Sequence, residues 1–174
     1  TGLSIMKISE KLDTGPVCNI YKINLENNLN TKDVSEKLSI LASEKILENI
    51  DNILEDNAKF IEQDHSKATY ASKIKKIEGN IDWNDAAEYI IGKINGLYPS
   101  PGAFFTFKGE RDKVLKAEIG YGSGRPGEIL SNYLEIACSE KKSVKILEIQ
   151  REGKTVQKTS EFMLGSQIKK GFVL

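Results

Sequence analysis

Between residues 58 and 80 the hydrophobic periodicity of the chain stops, and the patterns on either side of that gap follow different rules. Before it, Val34, Leu38, Leu41, Ala42, Ile46, Ile50 and Ile53 recur at helical spacing. That stripe specifies one long amphipathic helix whose apolar face is expected to be core. Thr31 is the expected cap, with Asp33 against the positive end of the helix, and the pattern fades by Asn57. Two strands are expected ahead of the helix, at residues 4–8 and 17–25, the second closed by Asn27 and Asn28. Between them Lys11-Leu12-Asp13-Thr14-Gly15-Pro16 reads as a turn.

After the gap, Asn84 is the expected cap of a short helix through Ile90, Ile91, Ile94 and Leu97, stopped by Pro99 and Pro101. Short strands are then expected at 103–107, 113–119, 127–130, 133–138 and 143–150, with a brief helix at 161–164. Short strands with glycine punctuation suggest a small antiparallel barrel or sandwich. The chain therefore reads as the tail of an α/β unit (1–57), an extended linker with a basic end (58–80) and a mainly β module (81–174). Its opening residue is Thr1 and its first methionine is Met6, inside an apolar alternation, so it reads as a piece of something longer.

Composition excludes several function classes. Two cysteines, Cys18 and Cys138, and the single His65 supply neither a disulfide framework nor a metal cluster. No apolar run is long enough to span a bilayer. The 25 basic and 25 acidic residues cancel, but six lysines face ten acids over residues 1–58, leaving a weak basic excess in the remainder. Only Arg111, Arg125 and Arg151 are arginine; lysine suits phosphate contact and lacks the planar fork that reads guanine edges. The glycine-rich stretch 120–127 leads to a strand, so it reads as a loop and not as a phosphate cradle. His65, in a polar segment without partner residues, reads as a surface histidine. Asp13 stands apart: it lies between two strands beside Thr14 and Gly15, where backbone can approach a ligand closely.

Thr1-Gly2-Leu3-Ser4-Ile5-Met6 followed by Leu12-Asp13-Thr14-Gly15-Pro16 resembles the end of the catalytic domain of folate-dependent formyltransferases. The similarity continues through Gln63-Asp64, Ala68-Thr69-Tyr70-Ala71, Lys73-Ile74, Ile81-Asp82-Trp83, Pro99-Ser100-Pro101-Gly102-Ala103, Gly153-Lys154 and Ile168-Lys169-Lys170-Gly171. In that order it is similar to the branch of the family that formylates methionyl-tRNA. The resemblance implies a Rossmann-like catalytic domain ending within residues 1–57 and an OB-like barrel at 81–174. It also implies 10-formyltetrahydrofolate as donor, no metal, initiator methionyl-tRNA as partner and a cytoplasmic setting. It makes Asp13 the catalytic carboxylate, with Leu12, Thr14 and Gly15 beside the folate, and Lys73 and Lys76 the tRNA contacts; Lys75 matches less well. Lys93, Arg111 and Lys116 join them on charge alone. The family's Asn and His are expected before Thr1, so the chain by itself is expected to be inactive, and the edges of its N-terminal strands are open to self-association. Two alternatives remain: a sugar-nucleotide or other folate-dependent formyltransferase, and a free-standing RNA-binding barrel.

Overall fold

The computed structural model of the protein describes residues 1–26 and 28–174. The strand-closing role expected of Asn27 thus lies outside the described residues. The chain forms two compact units, Thr1–Lys73 and Ile74–Leu174.

In the first unit, β1 (Gly2–Met6) and β2 (Val17–Lys22) pair antiparallel from Gly2 opposite Lys22 to Met6 opposite Val17, with a register shift at Ile5/Met6. Helix α1 spans Thr31–Leu54. Its cap is Asn30, one residue ahead of the expected Thr31. The Asn30 side chain accepts the Lys32 and Asp33 N–H groups at 2.9 and 3.1 Å, and Asp33 accepts the Asn30 N–H at 3.1 Å. This reciprocal box satisfies donors that Thr31, already inside the first turn, cannot reach.

The apolar stripe of α1 is not a closed core. No residue of the helix is buried, and Ile46 remains 41% exposed. A 24-residue helix is about 36 Å long, whereas strands of five or six residues reach only about 17–20 Å. Side-chain bonds still tie helix to hairpin: Asn19 Nδ2 donates to Asn49 Oδ1 at 2.6 Å, and Asn49 Nδ2 donates to the Tyr21 hydroxyl at 2.8 Å.

The second unit is built on an antiparallel sheet ordered β3-β4-β6-β5, from β3 (Ala103–Phe107), β4 (Glu110–Gly120), β5 (Glu135–Ala137) and β6 (Ser143–Arg151). A two-residue strand, β7 (Gln157–Lys158), shares the outer edge of β6 with β5. Register shifts around Lys116 let the successive residues Val114 and Leu115 both turn inward, and the sheet curls as a half-barrel. Helix α2 (Ala87–Gly96) buries Ala87, Ile90 and Ile94 against it, and α3 (Thr159–Leu164) adds Phe162. Trp83 packs on Phe105 with ring centroids 6.1 Å apart.

Two local expectations change in this unit. Residues 127–130 make isolated bridges (Glu128 to Val173, Ile129 to Ile136) and not a strand. Asn84 does not cap α2, whose N-cap is Ala86 without a side-chain bond. Instead the Asp82 carboxylate accepts the Asn84 backbone N–H at 2.9 Å and its Nδ2 at 2.8 Å, and these bonds hold the Asp82 carboxyl below its ordinary range. Residues 58–80, expected as an extended linker, are shared between the two units. Val17 and Ile61 exchange backbone hydrogen bonds at 2.8 and 2.9 Å in the first unit, and Lys76–Gly79 forms a 3₁₀ turn of the second.

Candidate functional site

The turn between β1 and β2 is fixed from three directions. Ser9 Oγ and Thr14 Oγ1 lie 2.7 Å apart, and each donates to the Lys11 carbonyl at 3.0 Å. Gln63 Nε2 reaches back to donate to the Asp13 and Gly15 carbonyls at 2.9 and 2.7 Å. Gly15 is buried, and a Cβ there would lie 1.8 Å from the Lys7 carbonyl oxygen, so no larger residue fits. Together these contacts set Asp13 in the left-handed region at φ 55°, a conformation that aspartate tolerates better than most residues.

The Asp13 side chain is exposed and accepts no hydrogen bond from the described residues. It lines an open groove of about 880 Å³ with Leu12, Thr14, Cys18, Gln63 and His65. Leu12, Ile20, Ile61 and Tyr70 give that groove exposed apolar surface, at 93%, 63%, 62% and 97% respectively. Gly15, buried behind the turn, shapes the groove without lining it. An unpartnered carboxylate at the rim of such a groove is equipped to orient an imidazole or take a proton. The apolar walls suit a ligand with an apolar face. Asp64 is spent locally: its carboxylate accepts the Ser66 hydroxyl at 2.6 Å and N–H at 3.1 Å and pairs with Lys67, which holds it below its ordinary range.

The basic residues separate. Lys73 is the last residue of the first unit and is exposed. In the second unit Lys76 and Arg111 line one groove of about 340 Å³, which two residues overlooked by sequence reasoning, Lys113 and Arg151, also enter. Lys93 lies elsewhere, donating to the Asn80 carbonyl at 3.1 Å and sitting 5.5 Å from the Tyr89 ring centroid. Lys116 lines a third surface with Tyr133, Lys145 and Lys158. The glycine-rich segment after β4 is a loop whose Gly122 N–H donates to Glu135 and Ser143 at 3.0 Å each. Among the described residues, no group of three or more His, Cys, Asp or Glu is placed to hold a metal ion, and no helix is long and apolar enough to cross a membrane.

Residues 73–167 match the formyl transferase C-terminal domain. Over 171 residues the chain is 66% identical to the methionyl-tRNA formyltransferase of Pelagibacter ubique, covering 98% of this chain and 55% of that protein. The chain spans about half the length of the curated relatives it matches. Among solved structures, HypX from Aquifex aeolicus in complex with tetrahydrofolic acid aligns with a TM-score of 0.73 at 16% identity, covering 99% of this chain and 34% of HypX. An N-formyltransferase from Helicobacter canadensis, in complex with folinic acid and dTDP-3-aminofucose, aligns with a TM-score of 0.65 at 16% identity, covering 86% of this chain and 55% of that one. At these identities the two structures show likeness of fold.

Proposed function

The chain belongs to the formyl transferase family, and we propose that it is the acceptor-binding half of an enzyme that formylates methionyl-initiator tRNA. The observation that carries this reading is the 66% identity to a methionyl-tRNA formyltransferase, which runs through both units and not the C-terminal domain alone. In this reading residues 1–57 end a Rossmann-like catalytic domain, 58–80 connect, and 81–174 form the OB-like barrel. The setting is cytoplasmic, and the free edges of β1 and β2 are available to another copy of the chain.

10-Formyltetrahydrofolate would supply the formyl group, and Leu12, Thr14 and Gly15 would stand beside it. Transfer needs the attacking α-amino group neutral and the developing oxyanion stabilised. Asp13 would orient the family's catalytic histidine and help carry away the amine proton. Its exposed, unpaired carboxylate and its fixed backbone support that role. The asparagine and histidine would come from outside this chain, whose single histidine, His65, follows Gln63-Asp64 and so is not part of an Asn-x-His motif. Lys73 and Lys76 would hold tRNA phosphates, which positions the acceptor without reading its bases.

Joining this chain to the N-terminal half of the Pelagibacter relative tests the reading. The joined protein should formylate methionyl-initiator tRNA, the chain alone should not, and Asp13→Asn in the joined protein should lower kcat by about a hundredfold or more. Transfer to a dTDP-amino sugar in preference to tRNA would instead establish the sugar-nucleotide reading. RNA binding with no transfer from any joined form would favour a binding module.

A further inference from the structure

We propose that Gln63 is a positioning residue for Asp13, a role that rests on the formyl-transfer reading above. The backbone brings it there. Val17 and Ile61 exchange N–H to carbonyl bonds at 2.8 and 2.9 Å as an antiparallel bridge. Continuing that register places Gln63 opposite Gly15. Immediately afterwards Asp64 accepts the Ser66 N–H at 3.1 Å and caps the 3₁₀ turn His65–Lys67, which leads the chain away. Gln63 is thus held between a bridge and a capped turn, with its side chain half-buried.

The carboxamide carries two N–H bonds, and the turn presents two carbonyls. Nε2 lies 2.9 Å from the Asp13 oxygen and 2.7 Å from the Gly15 oxygen. Both partners are acceptors only, so the amide has one workable orientation; an oxygen in the place of Nε2 would face two carbonyl oxygens. The other bonds of the turn act to either side of Asp13. The Ser9 and Thr14 hydroxyls close on the Lys11 carbonyl, and the Lys7 N–H donates to the Pro16 carbonyl at 3.0 Å. Among the described residues, the hydrogen bond to the Asp13 backbone comes from Gln63 alone. Asp13 sits at φ 55°, a conformation that a residue with a Cβ keeps only where its surroundings over-determine it. Released, it relaxes toward the extended region, and the Cα–Cβ bond turns with the backbone. The carboxylate is exposed and unpaired, so its aim comes from the backbone, and the aim of the backbone comes from Gln63. A carboxylate that must orient an imidazole during proton removal is sensitive to that aim, since a displacement of about 1 Å can cost about a hundredfold in rate.

Two measurements test the role. In the full chain, a residue at positive φ gives a strong Overhauser effect between its own amide and α protons. Gln63→Leu should weaken that signal at Asp13 while amide protection across β1 and β2 persists. In the enzyme joined to the Pelagibacter N-terminal half, Gln63→Leu should lower kcat on the order of tenfold or more and leave both KM values within about twofold. Gln63→Glu, matched in size but lacking the two donors at pH 8, should lose kcat likewise. Because Gln63 acts through Asp13, Gln63→Leu should cost little further in an Asp13→Asn enzyme. Equal losses in the two backgrounds would show that Gln63 only supports the fold, and would overturn the proposal. An Asp13 signal that survives Gln63→Leu overturns the clamp itself. A joined enzyme that transfers no formyl group with Gln63 intact overturns the transfer reading and this role with it. One that transfers and is indifferent to Gln63→Leu or Gln63→Glu overturns this role alone.

Discussion

Asp112 should destabilise the second unit at neutral pH, and replacing it with asparagine should reverse that. The side chain lies on β4 facing the core side, 4% exposed, and its Oδ1 is buried without a hydrogen-bond partner. Burial raises its pKa from 3.8 to about 6; the Arg151 charge works against the rise, and Glu110 adds to it. Between those two values the folded chain keeps a proton that the unfolded chain has released. Stability is therefore highest below pH 3.8 as far as this group is concerned, and it falls as pH rises to about 6. A difference of roughly two pH units corresponds to about 3 kcal/mol lost above pH 7. Asp112→Asn removes the charged form, so it should stabilise the unit by about 2–3 kcal/mol at pH 8 and by close to zero at pH 4. Arg151 stays seated in the variant, since it donates to the Phe162 carbonyl at 3.5 Å and lies 4.6 Å from that ring's centroid. Trp83, the single tryptophan and 6% exposed, reports the unfolding of this unit in urea titrations at the two pH values. A variant less stable at pH 8 would show that Asp112 anchors Arg151 as an ion pair, and the desolvation reasoning would be wrong. So would a stability difference that does not change with pH.

Three further outcomes follow from the same geometry. Gly15→Ala should destabilise the first unit by more than about 2 kcal/mol, because its Cβ would meet the Lys7 carbonyl and not a movable side chain; amide exchange across β1 and β2 would register the loss, and unchanged protection would contradict it. Brief trypsin treatment should cut after Lys73 or Lys75, within exposed residues 68–75 that carry no regular structure, and should leave a fragment with native Trp83 fluorescence. Earlier cleavage after Lys59, beside the Val17–Ile61 bridge, would argue against two units bounded at residue 73. Lys73→Ala with Lys76→Ala should weaken tRNA binding and flatten its salt slope by roughly two units, and filter binding across salt concentrations would expose a mere tether by showing no change.

Sequence patterns locate elements well where punctuation and periodicity agree. β3 occupies the expected residues 103–107, bounded by Gly102 ahead and Lys108-Gly109 behind. β4 outruns its expected bounds at Glu110-Arg111-Asp112, three charged residues in a row that carry no apolar alternation to trace. The apolar stripe of α1 announced a helix correctly, but periodicity states which face is apolar and not what covers it. Asn84 misled because two polar side chains compete for one turn. Asp82, two residues earlier, captures the Asn84 N–H, and α2 starts only afterwards, at Ala87.

The site shows the same division between local and long-range information. Asp13, Thr14 and Gly15 stood out because a turn motif is contiguous, and the structure adds the reason for its rigidity. Gln63, some fifty residues away, had no visible signal beyond its place in a resemblance, yet its amide clamps both the Asp13 and Gly15 carbonyls. Charge alone named Lys93, Arg111 and Lys116 together, and the fold sends them to three different surfaces. Strand register then sorts the cations: Arg111 and Lys113 share one face of β4, while Arg151, opposite Asp112, lies on the other, over the Phe162 ring. A one-residue slip of β4 would exchange the buried Asp112 for Arg111 or Lys113 and empty the groove of its cations. The inward face of that strand is apolar from Val114 onward, so the packing of Val114 and Leu115 fixes the register and with it the placement of the charges.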